Sequence, residues 1–108
     1  MNNQHQQLAN GRWQELSFFE QMANVGSEVS RTINWKEKGN QEYSRLAFER
    51  VLELLDLTIA DKKNKSKMKE IVRLREVLVD YFVFNNIYQS SDKNWNDYFM
   101  AFNYAVRV

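Results

Sequence analysis

Cysteine and proline are absent from this 108-residue chain, glycine occurs three times and histidine once. Without cysteine there is no disulfide framework, no thiolate nucleophile and no zinc-finger type of site. The scarcity of chain breakers, in a sequence rich in Leu, Glu, Lys, Arg and Ala, points to long helices. No apolar run approaches the roughly 20 residues needed to span a bilayer. The opening "MNNQHQQLANG" has neither a basic stretch nor an apolar core, so no signal peptide is predicted. A soluble, cytoplasmic protein with no membrane partner is the expectation.

What is present suits one globular domain. Apolar residues make up 44% of the chain and charged residues 27%, ordinary values for a packed core with a solvated surface. The net charge of +1 hides an asymmetry. Residues 40–61 hold two basic and five acidic groups, net −3, whereas residues 62–75 hold seven basic and one acidic, net +6. The run "DKKNKSKMK" at Asp61–Lys69 carries most of it, at the start of a helical pattern. Lysines belong at the other end of a helix, because the N-terminus is the positive pole of the macrodipole.

Along the chain, residues 1–10 are Asn/Gln-rich and aperiodic, which predicts a disordered tail ahead of one helical domain over 11–108. Leu16, Phe19, Met22, Val25, Val29 and Ile33 recur at helical spacing from Arg12 to about Lys36. Gly26 lies inside that helix, where its cost is repaid if another element packs close. Gly39 and Asn40 suit a left-handed cap and the N-cap of a second helix over Asn40–Ala60. A third helix is predicted over about Ser66–Phe84, and a fourth follows the turn-rich "NNIYQSSDKN" with Ser91 as N-cap. Four helices with short connections predict an all-α, antiparallel four-helix bundle. Trp13 and Trp35, with the aromatics of the last helix, exceed what one small core requires. The pattern predicts a homo-oligomer, with Trp35, Trp95, Tyr98 and Tyr104 at protein interfaces.

Catalytic chemistry is poorly supplied. The one histidine, His5, lies in the predicted tail, which removes a histidine-based triad, a di-iron bundle site and any multi-histidine metal site. It also removes the Arg-x4–6-His signature of small helical RNases of the HEPN kind. Carboxylates remain: Glu49, Glu53 and Asp56 share one helical stripe. "ELLD", Glu53 to Asp56, resembles the Glu-x-x-Asp of the MazG-type all-α nucleotide pyrophosphohydrolases, which would imply Mg²⁺ bound by Glu28, Glu53 and Asp56. That family adds an upstream Glu-Glu-x-x-Glu, of which "NVGSE" at Asn24–Glu28 keeps only the last glutamate. An ion-paired helix face, with Arg45 and Arg50 as partners, is the simpler reading. No catalytic residue, metal or cofactor is assigned.

The basic block is the better clue. Lys62, Lys63, Lys65, Lys67 and Lys69 surround a helix start, with Arg73 one turn beyond Lys69. Free backbone N–H groups and the dipole favour an anion there, and the lysines would steer a polyanion toward it. A solvated turn is the alternative. Arg75 lies on the apolar side of its helix, and a carboxylate on the neighbouring helix is its expected partner. The runs "ANVGSEVSR", "KGNQEYSRLAFERVLELLDLTIAD" and "LREVLVDYF" resemble a family of short, uncharacterised prokaryotic helical proteins. In architecture the chain is similar to the S23-type bundles, including the accessory protein of diversity-generating retroelements. That similarity implies an oligomer with a basic surface for a nucleic-acid enzyme or its RNA. The expectation is a non-enzymatic accessory or adaptor protein.

Overall fold

The computed structural model describes residues 11–107. The polar stretch 1–10, with His5, lies outside them. Among the described residues all regular structure is helical: α1 Phe18–Glu37, α2 Gln41–Ala60, α3 Met68–Phe82 and α4 Asp92–Arg107. Two short 3-10 segments precede α1 (Trp13–Glu15) and α3 (Lys62–Lys67).

The first helix begins later than its apolar periodicity suggests. Ser17 Oγ accepts from Glu20 N at 3.1 Å and Glu20 Oε1 accepts from Ser17 N at 2.9 Å, a reciprocal capping box. That box starts α1 at Phe18 and leaves Trp13 in a separate turn, packed into the core at 1% exposure. Trp13 is therefore core, not the surplus aromatic its position suggests. At the far end Gly39 adopts φ +77° and Asn40 caps α2 by accepting from Tyr43 N at 2.9 Å, as expected. Ser91 caps α4 through Asn94 N at 3.1 Å.

Met22, Val25, Val29 and Ile33 of α1 meet Phe48, Val51, Leu54 and Leu55 of α2 in one cluster with Ile71, Leu74 and Leu78 of α3 and Trp95 and Phe99 of α4. Burying each such side chain stabilises the fold by about 1.5–3 kcal/mol. Contacts between α1 and α4 run in opposite sequence order: Phe19 with Phe102, Gly26 with Phe99, Ser30 with Asn96, Lys36 with Asp92. The closest approach falls at Gly26, where an added Cβ would stand 2.7 Å from Phe99 Cβ. Gly26→Ala gains about 1 kcal/mol of helix propensity, but it must force α4 outward. A net loss of about 1–2 kcal/mol is expected, read as a lower urea midpoint at unchanged m-value.

Candidate nucleic-acid interface

The lysine-rich run is built differently from a helix start. Asp61 ends α2 and caps the 3-10 helix Lys62–Lys67, so α3 starts only at Met68 rather than near Ser66. A 3-10 helix brings every third residue to one edge. The inward edge carries Asn64, 2% exposed in the middle of five lysines. Its Nδ2 donates to Gln21 Oε1 at 2.8 Å and to the Thr58 carbonyl at 3.0 Å. Gln21 Nε2 donates in turn to Asp61 Oδ2 at 2.8 Å and to the Trp13 carbonyl at 3.0 Å. The Trp13 indole N–H reaches Thr58 Oγ1 at 3.0 Å. This polar clasp ties Trp13, α1, the end of α2 and the lysine run together.

The clasp sorts the expected phosphate-binding residues. Lys63 pairs with the buried Asp61 carboxylate and donates to the Gln14 carbonyl at 3.1 Å. It belongs to the clasp and leaves the polyanion set. Lys67 is half-buried, its ammonium 5.0 Å from the centre of the Phe18 ring. Lys62, Lys65, Lys69 and Arg73 are exposed, and among the described residues none has a carboxylate within ion-pairing distance. Their spacing of three, four and four residues sets them on one stripe across the 3-10 and α-helical turns. The Arg73 guanidinium lies 5.6 Å from the centre of the Tyr88 ring. Aromatics absent from the basic block in sequence are thus beside it in space.

The expected protein-contact residues divide as well. Trp95 is 6% exposed and packs in the core against Phe99 and Tyr81, so it offers no face to a partner. Tyr98 and Tyr104 are exposed. Trp35 is half-buried, edge-on to Tyr43 at 4.8 Å with Lys38 over it. The carboxylates do not converge. Asp56 accepts from Arg75 Nε at 2.9 Å, the inter-helix pair expected for that arginine. Glu28 pairs with Arg31 and Glu49 with Arg45. Among the described residues no group of three or more acids or histidines has a metal-holding arrangement.

The opposite end of the molecule holds features the sequence did not announce. Lys36 Nζ donates to Asp92 Oδ1 at 2.9 Å and to Tyr81 Oη at 3.2 Å, and the Tyr81 hydroxyl donates to the same carboxylate. Beside this triad a groove of about 600 Å³ is lined by Thr32, Lys36, Ser44, Arg45, Phe48, Phe82 and Val83, among others. The connection leaving α3 is held by Asp80, whose buried carboxylate accepts from Ile87 N at 3.0 Å and Tyr88 N at 3.1 Å. Asn86 bonds Ser90 in both directions. So tied, the loop exposes Val83, Phe84, Ile87 and Tyr88. An aspartate in the last turn of a helix faces the negative pole of its dipole. In sequence, that mismatch is the only local signal of the loop's clamp.

Two carboxyls at opposite ends give the fold an acid limit. Burial alone would raise the Asp61 carboxyl, but hydrogen bonds from Lys63 and Gln21 outweigh it and hold it below the usual value. Burial likewise opposes, and Tyr81 and Lys36 overcome, at Asp92. A depressed folded value means stability that is present above the unfolded carboxylate range, near pH 4, and lost as pH falls through the folded values. Urea midpoints are expected to hold from neutral pH to about pH 5 and then fall. Asp92→Asn should flatten part of that fall. Lys36 moves the other way: burial lowers it, but its bonds to Asp92 and Tyr81 raise it overall. Its contribution is lost only as pH climbs through the raised value.

Comparisons with protein-family profiles, with curated proteins and with solved structures each returned no match. The class defined by the fold is an all-helical domain of four mutually packed helices. No helix among the described residues is long and apolar enough to cross a membrane.

Proposed function

We propose that this chain is a cytoplasmic, non-enzymatic accessory protein: an antiparallel four-helix bundle that self-associates and docks nucleic acid along the stripe Lys62, Lys65, Lys69 and Arg73. The observation that carries the reading is that these four cations face water without ion pairs, while most other described cations near a carboxylate are paired. Unpaired cations in a row neutralise phosphates and release their counterions. Tyr88 beside Arg73 adds a π-face on which an unpaired base can stack, favouring a single strand over a duplex. The similarity to S23-type accessory bundles points to the same kind of partner, a nucleic-acid enzyme or its RNA.

Fluorescence anisotropy with single-stranded RNA and DNA at low salt tests the reading. Three to four neutralised phosphates predict a slope of log affinity against log salt of about −2 to −3. Charge reversal at Lys65, Lys69 and Arg73 together is expected to weaken binding at least about tenfold and flatten that slope. Lys63→Glu should act on stability, not on the salt slope. Undetectable binding, or a slope untouched by the triple reversal, would sink the interface.

A further inference from the structure

We propose that the loop Val83–Tyr88 is the self-association surface, and that the Phe84 and Ile87 side chains of one copy seat in the Lys36–Arg45 groove of a second copy. The proposal rests on the self-association half of the reading above and names the surface that performs it. It begins from a mismatch between order and exposure. Phe84 is 69% exposed and Ile87 73%, values that suit a mobile loop tip. This loop is instead held by the two backbone bonds to buried Asp80, the Asn86–Ser90 pair and a further bond from Asn86 N to the Asp80 carbonyl at 3.1 Å. Asn86 and Gln89 both adopt positive φ, +54° and +56°, a conformation that only surrounding bonds maintain in such residues. A loop fixed at that cost, with its largest apolar side chains turned outward, is shaped to be covered.

The second copy is the occupant that fits. Val83 belongs to the exposed loop and also lines the groove, so projection and recess lie on one face. A two-fold axis at that face would satisfy both at once, each copy giving its loop and receiving the other's. The groove has an apolar floor, the Phe48 and Phe82 rings with centroids 5.0 Å apart, and about 600 Å³ of space for two large side chains. Its rim is self-complementary in charge. Glu42 and Arg45 line it three residues apart on one helix, so across a two-fold each Glu42 meets the other copy's Arg45. The existing partner of Arg45 is Glu49 at the open surface, an exposed ion pair readily exchanged.

Sedimentation velocity of the full chain, from micromolar to near-millimolar concentration, is the test. The wild type is expected to dimerise reversibly. Phe84→Asp and Ile87→Asp remove no buried contact within the chain and should each weaken the dimer at least about tenfold. Glu42→Arg and Arg45→Glu should each weaken it too, and the double swap should restore most of the affinity. A wild type that stays monomeric overturns both the surface and the self-association. A dimer indifferent to the loop and rim variants overturns the surface alone. Phe84→Asp should leave the low-salt RNA anisotropy of the monomer unchanged, which separates this face from the basic stripe.

Discussion

Trp13→Ala is expected to lower the stability of the fold by about 3–5 kcal/mol, the largest single effect in the chain. The residue sits outside every α-helix, yet it is 1% exposed and belongs to the core cluster of all four. Its removal empties an indole-sized space that the surrounding helices cannot collapse into. It also strips Thr58 Oγ1 of the indole N–H donor, in a buried site. With total stability for such domains of about 5–15 kcal/mol, the variant should be partly unfolded at 37 °C. Urea unfolding by circular dichroism measures the loss. Trp13→Phe separates the contributions: packing is largely kept, the N–H is not, and a cost of about 1–2 kcal/mol is expected. An unchanged midpoint in Trp13→Ala would mean that the turn Trp13–Glu15 is not docked in solution.

Asn64→Ala is the second, expected to cost about 2–4 kcal/mol. The amide donates two bonds at once, so its loss leaves Gln21 Oε1 and the Thr58 carbonyl buried with a donor missing. Gln21 is then free to turn, and its bond to Asp61 weakens with it. Coupling of this kind makes a polar network worth more than any one of its bonds. One residue away, Lys65→Ala should change stability by no more than about 0.5 kcal/mol. The contrast within a single basic run is the check. If both variants melt alike, the 3-10 geometry of the run is wrong.

Much of the helical frame is legible in the residues because its causes are local. Gly39 followed by Asn40 marks a helix exit and the next entry through backbone conformation and one side-chain bond. The 3.6-residue recurrence of Met22, Val25, Val29 and Ile33 names the face that is buried. Gly26 signalled a close neighbour, and Phe99 is that neighbour. The break before Phe18 was equally local and still escaped reading. Ser17 and Glu20 have the spacing of a capping box, but Leu16 and Phe19 continue the apolar rhythm straight across it.

The lysine run was opaque for a different reason. Nothing between Asp61 and Lys69 distinguishes Asn64 from its neighbours except that it is the only amide there. Its burial is decided by Gln21, 43 residues earlier. Lys63 and Lys65 are the same residue type, two positions apart, yet one is spoken for by Asp61 and the other faces water. Charge density could propose an interface; only the path of the chain could say which charges remain to serve it. The loop after α3 is similar. Ile87 and Tyr88 read as turn residues until Asp80 is seen holding their amides.

The three-residue turn of Lys62–Lys67 makes this segment sensitive to counting rather than to composition. Inserting or deleting one residue rotates everything beyond it by about 120°, which would bring a lysine to the place where Asn64 meets Gln21 and swing the amide into water. Substitutions among the outward lysines leave that phase intact. A chain of this kind can gain or shed positive charge by point changes over many generations while its length between Asp61 and Met68 stays constant. Length, in that stretch, is the inherited trait, and charge is what remains adjustable upon it.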